Sequence, residues 1–141
     1  MPDTEPLDLT AWLPAHFAAK WRDHPREMSL AVVVPAGPAV VAVNPPLFAQ
    51  AVDNVVDNSF KHGGHGVAVA VTVSVRGGDI VLTVDDTGPG IPESERAAVF
   101  GRAGSGLAVA ARIVRSFGGK VSALPHRGGA RVAIVLPMAC G

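Results

Sequence analysis

The sequence predicts an α/β protein, a two-layer α/β sandwich with a mixed β-sheet and its helices on one face. Three observations lead there. Strand-like runs come in pairs separated by helical patterns, and valine-rich alternation over residues 67–75 and 80–84 marks central strands. Of 141 residues, 48% are hydrophobic and only 17% charged, which suffices for the core of one domain.

Taken in order, residues 1–6 are polar and proline-bearing and read as a flexible lead-in to a domain over 7–137, with 138–141 as a tail. In residues 7–21, Leu9, Trp12, Leu13, Phe17 and Trp21 recur at helical spacing, with Thr10 as N-cap and Pro14 in the first turn. His16 and His24 are expected at the surface. Residues 30–34 and 40–43 are β-branched runs that read as a hairpin through Pro35-Ala36-Gly37-Pro38.

Asn44-Pro45-Pro46 ends that strand and opens a helix over 47–62, which turns Phe48, Ala51, Val52, Val55, Val56 and Ser59 to the core and stops at Gly63-Gly64. Residues 67–75 and 80–84 form a hairpin through Arg76-Gly77-Gly78-Asp79. Residues 92–100 read as a short helix with Glu93 and Glu95 in its first turn, and 107–117 as a longer one closed by Gly118-Gly119. Residues 120–124 and 130–136 supply the last two strands.

Charge and cysteine content narrow the function. Lys plus Arg equals Asp plus Glu at 12 each, so nothing draws the whole domain to nucleic acid or an anionic membrane, and any phosphate binding must be local. The single cysteine, Cys140, excludes an internal disulfide framework and a cysteine metal site, in keeping with a reducing, cytoplasmic setting. The longest apolar region, residues 30–43, is interrupted by Pro35, Gly37 and Pro38 and is too short for a membrane span. The acidic start lacks the apolar segment of a signal peptide, and the chain reads as a piece of a longer protein.

Three segments carry candidate chemistry. The strand ending at Val84 runs into Asp85, Asp86, Thr87, Gly88, Pro89, Gly90 and Ile91, setting a carboxylate beside bare backbone where a flat polar ligand can approach. Upstream, Asn54, Asn58, Lys61 and His62 share one helix face. Downstream, Gly104-Ser105-Gly106-Leu107 opens a helix whose free N–H groups suit anions. A carboxylate, an amide-rich face and an anion-binding loop together point to a nucleotide.

With these motifs in this order, the chain resembles the catalytic, ATP-binding domain of sensor histidine kinases, a member of the superfamily that also holds DNA gyrase B and MutL, with its Bergerat-type ATP-binding fold. Residues 54–62 resemble the N box, Asp86 to Ile91 the G1 box, and Gly104 to Leu107 the G2 box; residues 106–119 resemble the helix that follows it. The resemblance implies ATP and Mg²⁺ as cofactors. It implies that Asp86 accepts a hydrogen bond from the adenine amine, Asp85 being the competing candidate one residue out of register, while Gly88 and Gly90 admit the base.

It further implies that Asn58 ligates Mg²⁺ and that Asn54, Lys61 and His62 meet phosphates or metal-bound water; a solvated helix end is the alternative for the last two. Where ATP-hydrolysing relatives carry a glutamate that activates water, Asn54 is an amide without a basic site, so the nucleophile is expected from elsewhere. In the family it is a histidine on a helical dimerisation domain, and a response regulator follows downstream.

Departures from the pattern are also legible. No histidine here has an acceptor-like setting. Phe100 is the one aromatic between Ile91 and Gly104, which shortens the lid and leaves Arg102 and Arg115 as candidates for the γ-phosphate. Ala130 replaces a threonine often found near the adenine pocket. Two alternatives share the fold: a serine kinase of the anti-sigma-factor type, and a non-catalytic nucleotide-sensing module.

Overall fold

The structure, a computed structural model, describes residues 3–21, 29–63, 68–86, 106–124 and 131–139; of residues 21, 29, 30 and 61–63 it describes the backbone. The elements run β1 (Glu5–Asp8), α1 (Leu9–Trp21), β2 (Ser29–Val33), β3 (Val40–Val43), α2 (Pro45–Gly63), β4 (Ala68–Arg76), β5 (Asp79–Asp86), α3 (Gly106–Ser116), β6 (Lys120–Leu124) and β7 (Arg131–Pro137). Five strands form the main sheet in the order β2-β4-β5-β7-β6, with β2 parallel to β4 and the other neighbours antiparallel. The expected mixed-sheet sandwich is therefore observed.

The alternation in the central strands decides which face is covered. Val69, Val71 and Val73 of β4, Ile80, Leu82 and Val84 of β5, and Val132, Ile134 and Leu136 of β7 are all buried. They form one core with Phe48, Val52, Val55 and Val56 of α2, Leu107, Ala110 and Val114 of α3, and Leu9, Leu13 and Phe17 of α1. Each fully buried aliphatic or aromatic side chain of this kind contributes roughly 1.5–3 kcal/mol. Among the described residues no helix is long and apolar enough to cross a membrane.

Several expectations about the N-terminal third are corrected. Residues 30–34 and 40–43 do not form a hairpin: β2 pairs in parallel with β4, while β3 pairs antiparallel with β1 in a separate two-stranded sheet. Glu5 and Pro6, placed in the lead-in, are part of β1, and the helix begins at Leu9. Its cap is Asp8 rather than Thr10, for Asp8 Oδ1 accepts from the Thr10 N–H at 3.1 Å and also from the Ala39 N–H at 3.0 Å. Pro14 consequently falls in the second turn of α1.

The C-terminal residues join the two sheets. Met138 bridges to Val41, its N–H donates to the Gly78 carbonyl at 2.9 Å, and the Ala139 N–H donates to the Val40 carbonyl at 2.8 Å. These two residues, read as tail, are tied into the fold. The short helix expected over 92–100, with His24, lies outside the described residues.

At the start of α2 and the end of α3 the sequence signals hold. Asn44 caps α2, its Oδ1 accepting from the Leu47 N–H at 3.1 Å, and Pro45 and Pro46 occupy the first turn where their missing N–H groups cost nothing. Helix α3 closes with Gly118 at φ 82°, the Gly118 N–H on the Arg115 carbonyl and the Gly119 N–H on the Val114 carbonyl, which is the Schellman pattern.

Candidate functional site

Helix α2 packs against β4, β5 and α3. Its apolar residues face the core, so its polar residues at 54, 57 and 58 are carried to the rim. There Asn54, Asp57 and Asn58 line a cavity of about 140 Å³ together with Gly106, the first residue of α3. The two helices are close at this point: a Cβ built on Gly106 would stand 3.6 Å from the Asn54 Cβ and 3.6 Å from its carbonyl oxygen. Thus the Asn-bearing face and the glycine at the next helix start, 52 positions apart in sequence by their numbers 54 and 106, share one wall-to-wall cavity.

Asp57 was not among the candidates. Its signal was available, because Asn54, Asp57 and Asn58 stand at i, i+3 and i+4 on one helical stripe. Lys61 and His62 lie in the last turn of α2, and their side chains are outside the described residues. Leu107 follows Gly106 and is buried in the core, so its side chain supports α3 rather than the cavity.

Asp86 ends β5 and continues the buried row Ile80, Leu82 and Val84, with a relative exposure of 3%. Among the described residues, Ser59 and Asp86 are the buried polar side chains. A carboxylate brought that far into an apolar layer is expensive to bury, and such groups concentrate at binding sites. Asp85 points to the opposite face, as strand alternation requires, and forms a bidentate pair with Arg131, with Nε–Oδ1 at 2.5 Å and Nη2–Oδ2 at 3.0 Å. The hydrogen bond to Asp85 raises the Arg131 guanidinium above its ordinary range, partly countered by desolvation. Asp85 is engaged across the strand pair, whereas Asp86 faces the helices. Gly88, Gly90, Ile91, Gly104 and Ser105 lie outside the described residues, as do Phe100, Arg102 and Ala130.

A second charged group holds α2 from behind. His16 Nε2 lies 2.8 Å from Asp53 Oδ1, Lys20 Nζ lies 3.7 Å from Asp53 Oδ2, and the His16 ring stacks on Trp12 with centroids 4.5 Å apart. Expected at the surface, His16 instead links α1 to the residue preceding Asn54.

The sequence pattern of the family described as "Histidine kinase-, DNA gyrase B-, and HSP90-like ATPase" matches residues 43–139. The sensor-type histidine kinase PrrB of Mycobacterium tuberculosis is 36% identical over 150 residues, covering 96% of this chain, and the chain spans about a third (32%) of that relative's length. The crystal structure of the ATP binding domain of PrrB from Mycobacterium tuberculosis superposes with a TM-score of 0.85 at 32% identity, covering 98% of this chain and 99% of that one. Full-length ShkA in complex with AMPPNP matches with a TM-score of 0.84 at 26% identity, covering 100% of this chain and 32% of that one.

Proposed function

Since the chain belongs to the family of histidine kinase-, DNA gyrase B- and HSP90-like ATPases, we propose that it is the ATP-binding catalytic domain of a two-component sensor histidine kinase. It donates the γ-phosphate of ATP to a histidine on a separate helical dimerisation domain, works in the cytoplasm, and has a response regulator as downstream partner. The strongest support is the meeting of Asn54 and Asn58 of α2 with Gly106 of α3 around one cavity. The serine-kinase alternative is not favoured, for the relatives matched over nearly the whole chain are named histidine kinases.

Each residue has a task that its chemistry allows. The Asp86 carboxylate offers acceptors only, which matches the amine of adenine and not the carbonyl that guanine presents at that position. Asn54, Asp57 and Asn58 supply hard oxygen donors, and among the described residues no cluster of three His, Cys, Asp or Glu competes for a metal. That donor set fits Mg²⁺, which keeps several waters and shares phosphate oxygens; Asn58 would hold it through its side-chain oxygen, and bound there it neutralises phosphate charge. The N-terminus of α3 presents the positive end of its dipole to phosphates. Lys61, His62, Gly88, Gly90, Ile91, Gly104 and Ser105 complete the proposed pocket.

Asn54 acts by what it lacks. An amide cannot take a proton from water, so the domain holds ATP without spending it on hydrolysis. In transfer the bond from the β,γ-bridging oxygen to the γ-phosphorus breaks, a nitrogen–phosphorus bond forms on the acceptor imidazole, and ADP leaves. Positioning and charge neutralisation supply most of the rate for such a step.

Incubation with γ-labelled ATP tests this. Alone, the chain is expected to neither label itself nor release phosphate at a useful rate; with a helical domain carrying a phosphorylatable histidine, acid-labile label should appear on that partner. Acid-stable label on the isolated chain would point to a serine kinase instead.

A further inference from the structure

We propose that Asp57 is the charged oxygen donor that holds the divalent cation accompanying the nucleotide, beside the neutral amides of Asn54 and Asn58. The inference rests on the nucleotide reading above and deepens it at one residue. Asp57 is half-buried and lines the 140 Å³ cavity between α2 and α3 with Asn54, Asn58 and Gly106.

Asp53 and Asp57 are both partly buried carboxylates on α2, one turn apart, yet Asp53 is paired with His16 and Lys20, whereas among the described residues no cation and no side-chain hydrogen-bond donor pairs with Asp57. A carboxylate that loses part of its hydration without a partner is costly, and a cation in the cavity offsets that cost. The two amides contribute oxygens but no charge, so they cannot do so themselves. Mg²⁺ is suited to such a place, since it takes one or two carboxylates and fills its remaining positions with water and phosphate.

The charge of Asp57 gives the proposal a sign that a purely structural role would not share. With the cation present, the carboxylate stabilises the metal and through it the nucleotide. With the cation removed, the same carboxylate faces the phosphates directly and repels them.

Calorimetric titration of ADP into the wild-type chain and Asp57→Asn, each in Mg²⁺ and in EDTA, separates these effects. In Mg²⁺ the variant is expected to bind about tenfold more weakly, as for other groups that orient a metal and its shell. In EDTA it should bind roughly threefold more tightly, because a like charge has gone. Asn is nearly isosteric with Asp, and melting curves without nucleotide should coincide. A change by the same factor in both buffers, or none in either, would overturn the role of Asp57 while leaving the nucleotide site standing. Absence of wild-type binding in both buffers would overturn the nucleotide reading and this inference with it.

Discussion

Asp86→Asn is expected to weaken ADP binding by about 100-fold. The carboxylate is 3% exposed and ends the buried row of β5, so a hydrogen bond made there from the adenine amine is shielded from water and assisted by charge. Losing such a bond costs about 3 kcal/mol, and each 1.4 kcal/mol is roughly tenfold in affinity. The amide that replaces it can also turn an N–H group toward the adenine amine, donor against donor. Calorimetry with the variant measures the loss, and a thermal melt without nucleotide separates recognition from folding. Wild-type affinity in the variant would remove Asp86 from the site.

Gly119→Ala is expected to cost about 3 kcal/mol of stability, at the upper end of overpacking in a well-packed region. A Cβ there would collide with the Val135 carbonyl oxygen and stand 2.6 Å from Leu136 Cδ2 and 2.9 Å from Val114 Cγ1. The side-chain atoms can shift, but the carbonyl belongs to β7, which pairs with both β5 and β6 and cannot move alone. In a domain of this size that loss corresponds to roughly 10 °C in melting temperature. Gly118→Ala is the control: its Cβ would meet only Pro137 Cγ at 3.9 Å, so its cost is the left-handed φ of 82°, about 1 kcal/mol. Equal melting temperatures for the two variants would contradict the packing at the end of α3.

What the sequence made legible is what local pattern determines. Helices α2 and α3 declare themselves by apolar periodicity and by residues that satisfy their own ends, Asn44 and the Gly118-Gly119 pair. The β4–β5 hairpin turns on two glycines between adjacent strands. By contrast, Pro35-Ala36-Gly37-Pro38 looks like a hairpin turn, but the partners of β2 and β3 are chosen by burial far away in sequence, at Ala68–Arg76 and Glu5–Asp8. The true cap of α1 was hidden for the same reason: Asp8 is held partly by the Ala39 N–H, 31 residues on.

The site divides along the same line. Asn54 and Asn58 are visible because one helical stripe suffices to place them together. Their meeting with Gly106 depends on the packing of α2 against α3, and the pairings of His16 with Asp53 and of Asp85 with Arg131 span 37 and 46 residues. Those pairings matter to the reading of charge. They show which carboxylates, Asp53 and Asp85, are already matched by basic side chains, a distinction that the sequence alone does not carry.

An adenine-nucleotide site built on Asp86 and Asn58 is tested by a pair of calorimetric titrations of the wild-type chain in Mg²⁺, one with ADP and one with GDP. Saturable, stoichiometric binding of ADP that weakens when Mg²⁺ is chelated is expected, with at least tenfold weaker binding of GDP, whose carbonyl faces an acceptor. Equal affinity for the two nucleotides would contradict it.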